Sequence, residues 1–169
     1  MYANKYSNFW RRFFAVIIDG LVFLPLQWID EYILSGAIGS VGVFLWGVGG
    51  AILGISYYVI LHAKYGQTIG KMVMKVKVVD VSESRNITVK QSCIRDIVPI
   101  IMVPFTVYAY AQLAFFGKTW QSLDQDSVLT IVSLIMISWV VLESVSMLFN
   151  EKRRAVHDYI AGSVVVRQT

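Results

Sequence analysis

The chain has 169 residues, 56% of them hydrophobic and 15% charged, with a formal net charge of +4. A soluble domain carries about 25% charge, so this composition and a mean hydropathy of +0.60 exclude an ordinary soluble domain and point to a membrane protein. The single cysteine, Cys93, excludes an internal disulfide framework.

Four stretches reach the roughly 20 apolar residues that a membrane-crossing helix needs: about 13–32, 40–63, 97–116 and 128–149. The first does not read as a cleavable signal peptide, because Asp19 interrupts it and no small-x-small site follows. The second carries Gly47, Gly50, Ala51 and Gly54 at steps of three and four, one helical face that suits close helix packing or a ligand-facing groove. Pro25, Pro99 and Pro104 are expected to kink the first and third spans.

The segment 64–95 between the second and third spans holds more than a loop. In "MKVKVVD", residues 74–80, Met74, Val76 and Val78 alternate with Lys75 and Lys77, the period of a half-buried strand. "SESRN" has turn chemistry, and "ITVK", residues 87–90, is expected to return as a hairpin partner. "SVVV", residues 163–166 in the tail 150–169, offers a third strand that would help a marginal hairpin. The expected fold is an all-α membrane protein, a single domain of four transmembrane helices with a small β-hairpin or short sheet at one membrane face.

Charge placement gives the orientation. Fourteen of the fifteen basic residues lie before the first span, between the second and third, or after the fourth; Lys118 is the exception. The positive-inside rule then predicts that both termini, the segment 64–95 and the tail are cytoplasmic. The basic residues read as orientation signals that touch anionic lipid, not as a nucleic-acid site, for which no aromatic platform is present.

No catalytic constellation appears. "GQTIGK", residues 66–71, lacks the spacing of a phosphate-binding loop and has Met72 where Ser or Thr would hold magnesium. His62 and His157 have no further ligands at metal-binding spacing, and no nucleophile–base set is evident. The expectation is a non-enzymatic protein with no cofactor and no metal site.

The intramembrane carboxylates remain. Asp19 lies seven residues, close to two turns, beyond Arg12, and so roughly 10 Å deeper. Glu143, on the oppositely directed fourth span, precedes Asn150 by seven residues and falls at similar depth. An ionisable group in a bilayer finds a partner, faces a wet cavity or stays protonated. Asp19 and Glu143 are therefore candidates for cation or proton binding. Asp19 has the alternative role of a packing anchor, paired or capping within the bundle.

Three motifs resemble one family. "RRFFAVIID", with Arg12, Ala15 and Asp19, is similar to the opening motif of the RDD family of prokaryotic membrane proteins. "GQTIGKMVMKVKVVD", with Gly66, Gly70 and Lys71, resembles that family's run after the second span. "RAVHDYIAGSVVV" resembles its closing motif, with His157, Asp158, Ala161 and Gly162 in place and Ser163 replacing the usual Thr. The resemblance covers nearly the whole chain and makes these residues structural or functional positions, with Asp158 as the second aspartate of the family name. It implies a multi-pass protein of the prokaryotic cytoplasmic (inner) membrane. It also implies a transport-related role, such as exchange of monovalent cations for protons, and for a bundle this small a homo-oligomer. The alternative is a non-catalytic accessory or regulatory subunit that binds another membrane protein.

Overall fold

A computed structural model describes residues 5, 6 and 8–168. Helix α1 runs Phe9–Tyr32 and continues into a π-helical turn, Ile33–Ala37, that closes at Gly36 with φ 100°. Helix α2, Ser40–Tyr65, follows at once. After it come the short α3, Ile69–Val73, strand β1, Val76–Asp80, and α4, Val89–Arg95. Helix α5 is Ile97–Phe115, α6 is Trp120–Leu123 and α7 is Ser127–Ser146. Helix α8, Val156–Ile160, and strand β2, Ser163–Arg167, complete the chain.

Four helical stretches, Phe9–Gly36, Ser40–Tyr65, Ile97–Phe115 and Ser127–Ser146, are long and apolar enough to cross a membrane. They coincide with the four expected spans, except that the first starts earlier and takes in Arg11 and Arg12. Pro25 and Pro104 lie inside α1 and α5. Pro99 occupies the first turn of α5, where an N–H has no intrahelical partner. Many large apolar side chains point outward, among them Ile131, Leu134, Ile135, Val141 and Leu142 of α7. A lipid surround accommodates such a surface.

The sheet corrects one expectation. "ITVK" is not a strand: Thr88 caps α4 in a reciprocal capping box with Gln91, and the segment turns helical. Only an isolated bridge, Val79 to Asn86, remains of the hairpin. β1 pairs instead with β2, antiparallel, with Val78 opposite Val165. Val76, Val78, Ile87 and Val165 form its small core, with Met74 packed against it. A strand alone leaves its backbone groups unpaired, and the valine-rich tail supplies the partner that a four-residue return, committed to a helix cap, cannot.

Two packing contacts fix the helices. α2 packs along α5, and at Gly47 the Tyr110 ring sits where a Cβ would lie. α1 packs on α3, where Ala15 meets Gly70. Gly50 and Gly54, on the same face as Gly47, have open space where a Cβ would go. The small-residue face is thus a close helix contact at Gly47 and the wall of a cleft at Gly50 and Gly54.

At the end distant from the sheet, Asp30 accepts hydrogen bonds from Trp46 Nε1 (3.0 Å) and Tyr110 Oη (2.5 Å) and ties α1, α2 and α5 together. The opposite end, where α1 begins, α2 ends and the sheet lies, gathers the buried charges.

Candidate functional site: a buried ionisable cluster at one end of the bundle

The turn between α2 and α3 builds one half of the cluster. Gly66 terminates α2 in the left-handed conformation, φ 71°, and the Val78 carbonyl lies 2.5 Å from where its Cβ would be. Only glycine satisfies both demands. Thr68 then caps α3. This geometry turns Thr68 and Gly70 toward α1, and Asp19 receives them.

Asp19, 2% exposed, accepts three hydrogen bonds. Thr68 Oγ1 donates to Oδ2 at 2.6 Å; Tyr57 Oη and the Gly70 N–H donate to Oδ1 at 2.7 and 2.8 Å. A Cβ on Gly70 would collide with the Ala15 carbonyl and stand 2.9 Å from Asp19 Cγ. Ala15 is fully buried at this contact. The residues of the two motifs are therefore one interface: a small residue on α1, a glycine on α3, and the carboxylate that binds the α3 backbone.

Arg12 does not turn to Asp19. Its guanidinium pairs with Asp158 Oδ2 at 3.0 Å and donates to the Arg153 carbonyl at 3.1 Å. In a helix side chains lean toward the N-terminus, which aims Arg12 at the sheet end and away from Asp19. Arg95, from α4, pairs with the other Asp158 oxygen. Asp158, fully buried, also accepts from the Ser163 hydroxyl and the Ala155 N–H, each at 3.1 Å. Burial pushes the Asp158 carboxyl up, but Arg95 and then Arg12 outweigh it and hold it well below the usual carboxylate range. Gly162 turns the chain from α8 into β2 with φ 62°, and Ala161, just before it, is buried.

Glu143 joins the same region from α7. Its Oε1 accepts the His157 N–H at 3.0 Å, and its Oε2 lies 2.5 Å from His157 Nδ1. His157 Nε2 is 3.5 Å from Asp158 Oδ1. Burial, then Arg95, lowers the His157 pKa below its ordinary value. Glu143 and Asp19 both lie at this end, but in separate networks: Glu143 with α8, Asp19 with α2 and α3.

A third group lies at the same end. Lys71 Nζ is 2.5 Å from His62 Nε2, and His62 Nδ1 is 3.2 Å from Asp96 Oδ2. Burial, then the Arg95 charge, pulls the Lys71 pKa down to about 7. Asp96 is lowered: burial raises it, and the His62 hydrogen bond and nearby positive charges outweigh that.

Sequence reasoning did not single out Arg95 and Asp96. Their signal was an adjacent Arg–Asp pair where the third span begins, the same edge at which Arg12 enters the first. Tyr57 and Thr68 carried no sequence signal, since hydroxyls in and near spans are common. Among the described residues, no group of three His, Cys, Asp or Glu side chains is placed to hold a metal ion.

Comparison with known proteins identifies the family. The sequence model of the RDD family matches residues 6–162, a span that contains the first two motifs and the third through Gly162. The chain is similar to a protein described as an uncharacterized membrane protein, YteJ, of Bacillus subtilis (strain 168), with 24% identity over 176 residues. That match covers 98% of this chain and 84% of the relative. No solved structure matches. With four apolar helices and a family match over most of its length, the chain is a multi-pass membrane protein and belongs to the RDD family.

Proposed function

We propose that this is a transport-related, non-enzymatic membrane protein of cation–proton exchange type, oriented with both termini and the sheet in the cytoplasm. The observation that carries the reading is the convergence of Arg12, Asp19, His62, Lys71, Arg95, Asp96, Glu143, His157 and Asp158 at one end of the bundle. Every span contributes to or adjoins this cluster. Ionisable side chains taken into a membrane domain cost several kcal/mol unless partnered, and they commonly mark proton and ion pathways. Glu143 with His157 and Asp19 with its three donors are the carboxylates assigned to proton or cation handling. Exchange in so small a bundle would involve a homo-oligomer.

Proteoliposomes loaded with a pH-sensitive dye and given sodium, potassium or lithium gradients test the reading. Cation-dependent proton movement is expected in the wild type and is expected to fall in Asp19→Asn and Glu143→Gln. A folded wild type without such movement for any of the three cations would overturn it.

One observation favours a second reading, an accessory or regulatory subunit bound to another membrane protein. Asp19 has both oxygens engaged by donors, and a cation there would displace them. On this reading Asp19 anchors α3 to α1. Asp19→Asn would then lower stability, and the wild type would show no flux.

A further inference from the structure

Three side chains of the buried cluster form a chain of polar contacts: Lys71 of α3, His62 of α2, and Asp96 at the junction of α4 and α5. The two facing nitrogens, Lys71 Nζ and His62 Nε2, are 2.5 Å apart, and only one of them can carry the hydrogen between them. His62 Nδ1 faces Asp96 at 3.2 Å. The imidazole is thus held at both nitrogens, by an amine on one side and a carboxylate on the other.

Asp96 also belongs to a second feature. A cleft of about 220 Å³ runs along the small-residue face of α2, lined by Gly50, Gly54, Tyr58, Asp96, Pro99 and Thr106. It shares Gly50, Ala51 and Thr106 with a cleft of about 290 Å³ that reaches Gln27 and Asp30 near the other end of α1. The two clefts lie along one face of α2, one lined by Asp30 and the other by Asp96. The open space at Gly50 and Gly54 is what leaves this face unfilled.

We propose that Asp96, His62 and Lys71 form a proton-binding relay that the cleft along α2 opens to water. On release, Lys71 Nζ gives a proton to His62 Nε2 while His62 Nδ1 gives its own to Asp96, and the protonated carboxyl loses it to water in the cleft. Uptake reverses each transfer: a proton arriving on Asp96 passes to Nδ1, and Nε2 returns one to Lys71. The charged and titratable groups around the relay are Arg12 and Asp19 on α1, Tyr58 on α2 and Arg95 on α4. Arg12 and Arg95 favour the neutral amine, whereas Asp19 and Asp96 favour the ammonium, and burial adds to the first pair. The resulting balance places the amine near neutrality, as a proton-exchanging group requires. The relay rests on the proton-handling part of the proposed function and names its carrier.

The test uses the full-length protein in nanodiscs, labelled with 15N-histidine, and measures no flux, so it fails separately from the exchange reading. His62→Gln assigns the His62 signals against those of His157. The His62 Nε2 resonance is expected to shift between pH 6 and 8.5 in the wild type, and this transition is expected to vanish in Lys71→Met. Should Lys71→Met not fold, Lys71→Arg serves equally, because a guanidinium does not deprotonate in this range. A His62 signal that is flat with pH, or one that titrates unchanged without Lys71, overturns the relay. Access is tested in a Cys93→Ser background. Gly54→Cys is expected to react with a hydrophilic thiol reagent that leaves the outward-facing Leu134→Cys unmodified. An unreactive Gly54→Cys in folded protein overturns the water route.

Discussion

Arg12, three residues into the first helix, meets Asp158, beyond the last span, at 3.0 Å with both side chains buried. The two ends of the domain are thus joined through one ion pair, and Arg95 from the middle of the chain joins the same carboxylate. Glu143 with His157, and Lys152 with Glu83, add further charged contacts between the closing segment and the rest of the chain.

Asp158→Ala leaves two buried guanidinium groups without their shared carboxylate. Removing one partner of a buried pair costs about 3–5 kcal/mol. Thermal stability in detergent and expression level are expected to fall sharply. Because the Asp158 pKa is depressed, its contribution is fully present above the ordinary carboxylate pKa of about 3.9 and is lost as pH falls through the lower folded value. The gap between wild type and Asp158→Asn is therefore expected to stay constant from pH 5 to 8 and to narrow only in stronger acid. Unchanged stability in Asp158→Ala would refute the buried lock.

Gly70→Ala tests the contact between α1 and α3. The new methyl meets the Ala15 carbonyl, and the backbone has to move. A loss of about 1–3 kcal/mol is expected, the usual scale for overpacking. Gly50→Ala, whose methyl enters open space, is the control and is expected to leave the melting temperature nearly unchanged. Equal melting temperatures for the two variants would show that α1 and α3 are not in contact.

Lys71 gives stability a slope with pH. Unfolded, the amine holds its proton up to about 10.5; folded, it releases it near 7. Between those values the unfolded chain binds more protons, so stability rises with pH. The detergent melting temperature is expected to climb from pH 7 to 9.5 in the wild type. Lys71→Met is expected to flatten this part of the profile, and an unaltered slope would assign the effect to another group.

Orientation is tested by thiol labelling of intact cells in a Cys93→Ser background. Ser35→Cys and Ser122→Cys, in the two connections that hold only Lys118 as a basic residue between them, are expected to react with an impermeant reagent from outside. Ser84→Cys, in the basic segment before α4, is expected to be protected until the membrane is opened. External labelling at Ser84→Cys would reverse the topology assigned by the basic residues.

The spans were legible because roughly 20-residue apolar runs have few soluble explanations. Strand β1 was legible through the alternation of Met74, Val76 and Val78 with lysines. Its partner was not fixed by the same signal: "ITVK" and "SVVV" both suit a strand, and what separates them is the Thr88–Gln91 capping box, a helix-start cue four residues long. Asp19 stood out because a carboxylate in an apolar run is costly. Its donors did not, because Tyr57, Thr68 and the Gly70 N–H become acidic-group partners only once Gly66 has turned the chain back onto α1. Arg95 and Asp96 were hidden by their place at the edge of a basic segment, where charges ordinarily face water.

The pairing of β1 with β2 sets an order of assembly. Val76–Asp80 is synthesised before the third and fourth spans exist, yet its strand partner, Ser163–Arg167, emerges only after both. Contacts between segments so far apart in sequence form late. During synthesis β1 therefore waits with an unpaired edge, and Arg12 and Arg95 wait without Asp158. The closing motif is therefore the last piece of the domain to fall into place: it supplies both the partner for the β1 edge and the carboxylate that Arg12 and Arg95 share.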